Sequence, residues 1–558
     1  MSRAEPSELR SPRWHVPAVS LAAVVGLSLM VQSAQSTSAT YDEVTYIRTA
    51  TDWWRTGSQD KITRMGSPLT FWKLQQAPVL WLLDRCGKGT LIDDPIRRQA
   101  ELLPWLRLGA LWVWVVALGL TAGWSRIKYG PRAMAYSAWL FVLSPNLLAH
   151  GAIITMELPI VAATVGVFFL FVRFLETREK PAFFASATVC GLAFSCKFTA
   201  ILLPPSLALI WWVDRSRWGH VRPFQTLLRV VGGMAVFVAV MLAADIVVTG
   251  GATLTVAQKP GFAHPSIAGR FGGSSGMGGL LTWIAETPIP QDWVGFANQV
   301  RHQRSGGPSY LRGERRMSGW WYYYFVALAV KVPLSLGLLV ITRVWLSRRY
   351  GNRERDWIFP LTIAAFLLIT AAGSSRNYGV RYLLPLSPLA IVWVSALAEQ
   401  GRRFRFIAIL GLLGQAMAVA SVHPHELTYF NVLTGGRAGG RRVLADSNLD
   451  WGQGLIGLAR LQLQRPELTD LTLYYFGDTD PAHYGVSGIS YTIDAGSVHP
   501  GLPELFEAKT EYAAVSASLQ WGPWGSPGYF RRLDGVRPVA STADTTIAIY
   551  RSSDIPLN

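Results

Sequence analysis

The 558-residue chain has only three cysteines, Cys86, Cys190 and Cys196, two of them inside apolar segments and none at a metal-ligand spacing. They imply no disulfide framework and no thiolate metal site. Charged residues are scarce as well, at 16%. No internal repeat or low-complexity tract is evident, which argues against a solenoid. What the chain has in excess is apolar sequence, with half of its residues hydrophobic and 23 of them Trp. Long apolar runs joined by short basic loops describe a polytopic membrane protein.

The formal charge of +17 fits the same reading. The Lys and Arg residues sit in short loops between apolar runs, so they report topology, and nucleic-acid binding is not expected. Apolar runs at 15–34, 104–124, 133–150, 158–175, 182–196, 198–213, 227–248, 320–346, 357–373, 380–398 and 404–421 predict about eleven spans. The first follows Arg3, Arg10 and Arg13 in the manner of a signal peptide, but its length predicts a retained helix. With the N-terminus inside, the basic groups Arg126, Lys128 and Arg132, then Arg178 and Lys180, then Arg348 and Arg349, then Arg402 and Arg403 all fall on the cytoplasmic side.

Three larger pieces then face outside: loops at about 35–103 and 249–319, and the tail from 422 to 558. Trp53, Trp54, Trp72 and Trp81 predict interfacial helices in the first loop. Gly272-Gly273 and Gly276-Met277-Gly278-Gly279 mark the second as a lid candidate. In the tail, helical spacing at 455–463 and strand patterns at 471–476, 511–519 and 545–550 predict a small α/β domain, separate from a transmembrane domain over 1–421.

Chemistry concentrates at the outer boundary. Asp42 and Glu43 follow directly on the first span, and Glu157 begins the fourth on the same face. Carboxylates from distant parts of the chain at one membrane boundary suit an acceptor hydroxyl or a cation. The competing readings are a wet, inert acidic pair and, for Glu157, a carboxylate at a helix N-terminus. Lys197, Arg376 and Arg381 run against the topology bias, so an anion such as a lipid phosphate is expected beside them, with headgroup snorkelling the competing view. Lys331 lies about eleven residues into the eighth run, roughly 16 Å deep at 1.5 Å per residue. An ammonium there costs about 2.5–3.5 kcal/mol unless paired. In the tail, Asp446, Asn448, Asp450 and Trp451 have the makings of a sugar or acceptor site, carboxylates and amides for hydroxyls and an aromatic face for a ring; an Asx-rich turn before a helix is the alternative.

In order, Tyr41-Asp42-Glu43, Ser144-Pro145-Asn146-Leu147-Leu148-Ala149-His150 with Thr155-Met156-Glu157-Leu158-Pro159, Lys197-Phe198-Thr199-Ala200, Gly319-Trp320-Trp321-Tyr322-Tyr323-Tyr324, Lys331-Val332-Pro333, Gly379-Val380-Arg381-Tyr382-Leu383-Leu384-Pro385 and Asp446 to Gln453 resemble the membrane glycosyltransferases of the GT-C fold, a family related to dolichyl-phosphate-mannose protein mannosyltransferases and the aminoarabinose transferase. The resemblance implies a bacterial inner-membrane enzyme that transfers a sugar from a polyprenyl-phosphate carrier to a protein, lipid or glycan acceptor outside the cytoplasm. It makes Asp42 the base, with Glu43 beside it. It departs at Glu157, where the family usually has Asp. It leaves open a divalent cation, Mg or Mn, for which Asp42 and Glu157 are the available ligands. A transporter or flippase of lipid-linked sugars uses similar buried charges and is the rival expectation.

Overall fold

The computed structural model describes residues 14–57, 70–218, 223–251, 253–254, 286–350, 355–373, 375–493, 502, 506–507, 509–526 and 528–556. The glycine-rich stretch around Gly272–Gly279 lies outside the described residues, as does the side chain of Trp72.

Every apolar run is helical, though not always as one rod. Five helices are long and apolar enough to cross a membrane by themselves: His15–Ser36, Gln99–Lys128, Glu157–Thr177, a helix within Pro223–Val248, and Arg402–Ala420. Shorter apolar helices at Lys180–Phe194, Ile358–Gly373 and Leu386–Ser395 pack among them. The chain is thus a multi-helix integral membrane protein; five single helices, not eleven, meet the length and composition of a span among the described residues.

The run at 320–346, expected as one span, is two helices, Tyr323–Lys331 and Leu334–Tyr350, bent by 107°. Pro333 has no N–H to continue the ladder and drives Val332 into an extended conformation, φ −92° and ψ 133°. The carbonyls exposed at the break all find donors. Asn431 gives its backbone N–H to Val330 O and its side-chain amide to Ala329 O and Val332 O, and Asn146 gives its amide to Lys331 O. The break is therefore a built feature, and it ends the continuous helix from which the depth of Lys331 was reckoned.

The tail folds as expected around a helix, Leu455–Gln464, and a five-stranded sheet. The strands are β1 (Leu471–Phe476), β2 (Ile489–Ile493), β3 (Tyr512–Ser516), β4 (Ala540–Ser541) and β5 (Ile547–Arg551), in the order β2-β1-β3-β5-β4. β1 pairs in parallel with both β2 and β3, and β5 runs antiparallel to β3 and β4. Central β1 is buried on both faces, the usual state of a parallel strand. Leu471, Leu473 and Tyr475 meet the helix through Leu455 and Leu458. Tyr474 and Phe476 face a second cluster that includes Ile153, Trp451 and Tyr41, from the membrane portion and its connecting segments. The sheet is thereby docked onto the helical portion.

Candidate active site

Asp42 and Glu43 are adjacent in sequence but occupy opposite environments. They open the helix Tyr41–Thr56, where Glu43 at the third position accepts the Thr40 N–H at 2.9 Å. The rotation of about 100° between successive helical residues puts Glu43 inward and Asp42 toward the rim. Glu43 is fully buried and pairs with Arg107 in two parallel bonds, Nε to Oε1 at 3.0 Å and Nη2 to Oε2 at 2.8 Å; Ile154 N–H adds a third donor at 2.9 Å. Arg107 gives its other protons to the carbonyls of Ala34, Thr37 and Ser38. Glu43 is thus a clamp joining the end of the first span to its neighbours, with no acceptor capacity left for chemistry. Arg107 escaped sequence reasoning, although its signal was present: a lone arginine inside the apolar run 104–124.

Asp42 keeps 26% of its side chain exposed. Its Oδ2 accepts from Arg381 Nη1 at 2.9 Å, and the same nitrogen lies 3.6 Å from Glu157 Oε1. Glu157, 3% exposed, accepts from Lys197 Nζ at 2.8 Å. Two carboxylates and two cations from four distant segments therefore interlock in one chain, Asp42–Arg381–Glu157–Lys197. Aromatic rings support the cations: Lys197 Nζ lies 4.3 Å from the centre of Tyr382, and the Arg381 guanidinium lies 4.3 Å from that of Trp451. Backbone geometry holds Arg381 as well, since Nε donates to Tyr378 O at 3.1 Å across a turn opened by Gly379 at φ +94°. A Cβ there would press on Ser447 Oγ and on the side chain of Asn448 at about 3 Å.

Arg376 and Lys331 stand outside this set. Arg376 donates to the Gly306 carbonyl and bonds with His302 and Tyr378, at 2.6 and 3.1 Å, tying the end of the helix Gln291–Arg304 to the 376–379 turn. Lys331 Nζ donates to Leu427 O at 2.9 Å and Asn448 O at 2.6 Å. Its ammonium is satisfied by carbonyls, and it sits where a helix C-terminus favours a cation.

The tail segment Asp446–Gln453 braces the site. Asn448 accepts from Val380 N–H at 2.9 Å and donates to Tyr323 Oη at 2.9 Å; Trp451 is buried under Arg381. Asp450 is buried, with its oxygens accepting from Ser518 N–H at 2.8 Å and Gly452 N–H at 3.1 Å. These three side chains, expected as sugar contacts, face the protein. Asp446 alone of the four stays partly exposed.

Burial pushes the Asp450 carboxyl up to about 7, against two backbone N–H groups that favour its ionised form. The native state then holds a proton that the unfolded chain has released above about pH 4, so this group's stabilisation is present in acid and is lost as pH rises through 7. Thermal unfolding of the full-length protein in detergent is expected to show a midpoint that declines between pH 5 and pH 8. Asp450→Asn should be less stable throughout, because its NH2 meets a backbone N–H, but should flatten that decline. An unchanged slope contradicts the assignment.

Lys197, the last of the four interlocked charges, lines a cavity of about 350 Å³. Phe198, Ile201, Leu202, Phe296, Val300 and Ile369 give it an apolar lining, to which Lys197, Arg304, Gln299 and Gln303 add polar groups. An apolar cavity with cations in its lining suits an amphiphile with an anionic head. For a divalent cation, Asp42 and Glu157 lie on one face, but each is already paired with Arg381 or Lys197, and among the described residues no group of three or more His, Cys, Asp or Glu side chains has metal-binding geometry.

Comparison with known proteins gives matches of low similarity. A search of curated proteins found no match. ArnT from Cupriavidus metallidurans, in a structure with undecaprenyl phosphate, is 14% identical over 98% of this chain and 99% of its own, with a TM-score of 0.49. The oligosaccharyltransferase of Archaeoglobus fulgidus is 11% identical in its apo form, over 86% of this chain and 64% of that one, with a TM-score of 0.41. The sequence from 105 to 242, which carries Arg107, Glu157 and Lys197, matches the family model of dolichyl-phosphate-mannose-protein mannosyltransferases, and it is to that family of membrane glycosyltransferases that the chain is similar.

Proposed function

We propose that this protein is an inverting glycosyltransferase that moves a sugar from a polyprenyl-phosphate carrier to an acceptor hydroxyl at the extracytoplasmic face of a bacterial inner membrane. The observation that carries the reading is the interlocked set Asp42–Arg381–Glu157–Lys197, whose Lys197 also lines an apolar cavity. The similarity of residues 105–242 to a family named for a lipid-phosphate-linked sugar supports it. So does the spread of basic loops, which favours an inside N-terminus and an outside tail, 422–558.

The chemistry follows from charge. The set is neutral as it stands, with two carboxylates matched by two cations. A carrier phosphate entering beside Lys197 adds negative charge and competes with the carboxylates for the guanidinium. Turning Arg381 toward the phosphate releases Asp42 to accept a proton. The acceptor oxygen attacks the anomeric carbon, its proton passes to Asp42, and the bond from that carbon to the phosphate oxygen breaks with its electron pair on the phosphate, where Lys197 and Arg381 hold the developing charge. A single displacement inverts the anomeric centre. Glu157 keeps Lys197 placed and charged.

Undecaprenyl phosphate titrated into the detergent-solubilised protein tests the cation half of this scheme. Lys197→Ala is expected to bind it about ten- to a hundred-fold more weakly, the equivalent of about 1.5–3 kcal/mol for charge-assisted hydrogen bonds. Arg381→Lys should recover part of what Arg381→Ala loses, because an ammonium keeps the charge without the planar fork. Melting without carrier separates this from misfolding. Affinities within two-fold of the parent in folded variants place the phosphate elsewhere.

A further inference from the structure

Asp446 and Trp524 form a rim that the transfer scheme does not use. Both are partly exposed, unlike Asn448, Asp450 and Trp451. Trp524 donates its indole N–H to Asp446 Oδ1 at 2.9 Å, which fixes the ring plane. One face of that ring stacks on Phe476, with centroids 5.7 Å apart and planes within 10°. Phe476 in turn stacks on Tyr41, again at 5.7 Å and within 19°. Tyr41 immediately precedes Asp42, so the stack runs from the proposed base into the sheet domain. Asp446 also holds a left-handed backbone, φ +56°, a conformation uncommon for a residue other than glycine and more frequent at binding sites than elsewhere.

The position of this rim decides what it suits. Asp446 is within electrostatic reach of Arg381 and Asp42. Lys197 instead lies beyond Glu157, at the cavity end. In an in-line displacement the acceptor and the leaving phosphate stand on opposite sides of the reacting carbon. Arg381 lies within reach of both the rim and the phosphate, so the ring stack is what favours a side: through Phe476 it joins Trp524 to Tyr41, the residue next to the base, and so to the acceptor. Its charge repels an anion, whereas a carboxylate with about four lone-pair positions, one oxygen already bonded to Trp524, still takes hydroxyl donors. A flat indole next to it takes the C–H face of a ring.

We propose that Asp446 and Trp524 form the acceptor subsite, and that the acceptor presents a neutral hydroxylated ring, a sugar residue, to it. The word acceptor rests on the transfer reading above; binding of a sugar ring does not. The test is saturation-transfer NMR with methyl mannoside, methyl glucoside and methyl galactoside on the full-length protein in nanodiscs containing undecaprenyl phosphate. At least one glycoside is expected to show saturation strongest on its ring C–H protons, five-fold or more weaker in Trp524→Leu and in Asp446→Asn, with undecaprenyl phosphate binding unchanged. Asp446→Asn keeps an oxygen for the indole N–H, so it remains informative if Trp524→Leu fails to fold. No saturation by any glycoside, or equal saturation in folded variants, overturns the subsite. Weaker binding of undecaprenyl-phosphate-linked mannose in both variants assigns the rim to the donor sugar and overturns the acceptor assignment. Glycoside binding that persists where carrier turnover is absent upholds the sugar site while removing the transferase reading, so the two fail separately.

Discussion

Asp42→Asn is expected to lower sugar transfer by about 10²- to 10⁴-fold, the range for loss of a positioned general base. The carboxamide keeps the shape and still offers one oxygen to Arg381 Nη1, which donates to the carboxylate at 2.9 Å. It cannot take a proton. The loss should appear in the maximal rate with little change in donor affinity, because the missing interaction arises only as the acceptor is deprotonated. Melting and expression should stay near those of the parent. Transfer within a few-fold of the parent would move the base to Glu157, the other carboxylate in the interlocked set.

The second large effect is expected at the partner of the neighbouring carboxylate Glu43 and is of another kind. Arg107→Met leaves the buried Glu43 carboxylate without its bidentate partner and the carbonyls of Ala34, Thr37 and Ser38 without a donor. Breaking a buried pair from one side costs about 3–5 kcal/mol. Folded protein recovered in detergent should fall sharply, with a clear drop in melting temperature. The double variant Glu43→Leu with Arg107→Met should regain part of the loss, since two apolar groups avoid the lone buried charge, although the carbonyls remain unsatisfied. A single variant that melts with the parent would show that the clamp contributes little. The contrast between Asp42→Asn, folded and inactive, and Arg107→Met, poorly folded, distinguishes two acidic neighbours that a sequence presents as equivalents.

That equivalence marks where sequence reasoning ends. Every apolar run that hydropathy marked is helical, because each must bury or immerse an apolar stripe, and strand pattern located β1, β3 and β5 for a related reason; the polar helix Gln291–Arg304 gave no such signal. Hydropathy overran the break at Val332-Pro333, because a composition window spans a proline without registering that Asn431 and Asn146, distant in sequence, satisfy the freed carbonyls. Short β2 and β4 carried too little pattern to stand out. The motifs around Asp42, Glu157, Lys197 and Arg381 do meet in space, but their pairing depends on tertiary geometry: Lys331 looks as functional as Lys197 in sequence and is tied to two carbonyls in the fold. The Asp446–Gln453 stretch looks like a sugar site, and most of it instead holds Arg381 and the 380 turn from below. Trp524, 78 residues beyond Asp446, had no local signal at all.

The most direct test of sugar transfer from a polyprenyl-phosphate carrier is the release of undecaprenyl phosphate from labelled, carrier-linked sugars by the purified protein in nanodiscs, measured with and without membrane extract as a source of acceptor. For at least one carrier-linked sugar, release of the carrier phosphate should be acceptor-dependent, matched by label on the acceptor with inverted anomeric configuration, and absent in Asp42→Asn. Movement of the intact labelled lipid between leaflets with no release from any carrier-linked sugar would contradict a transferase and identify a transporter.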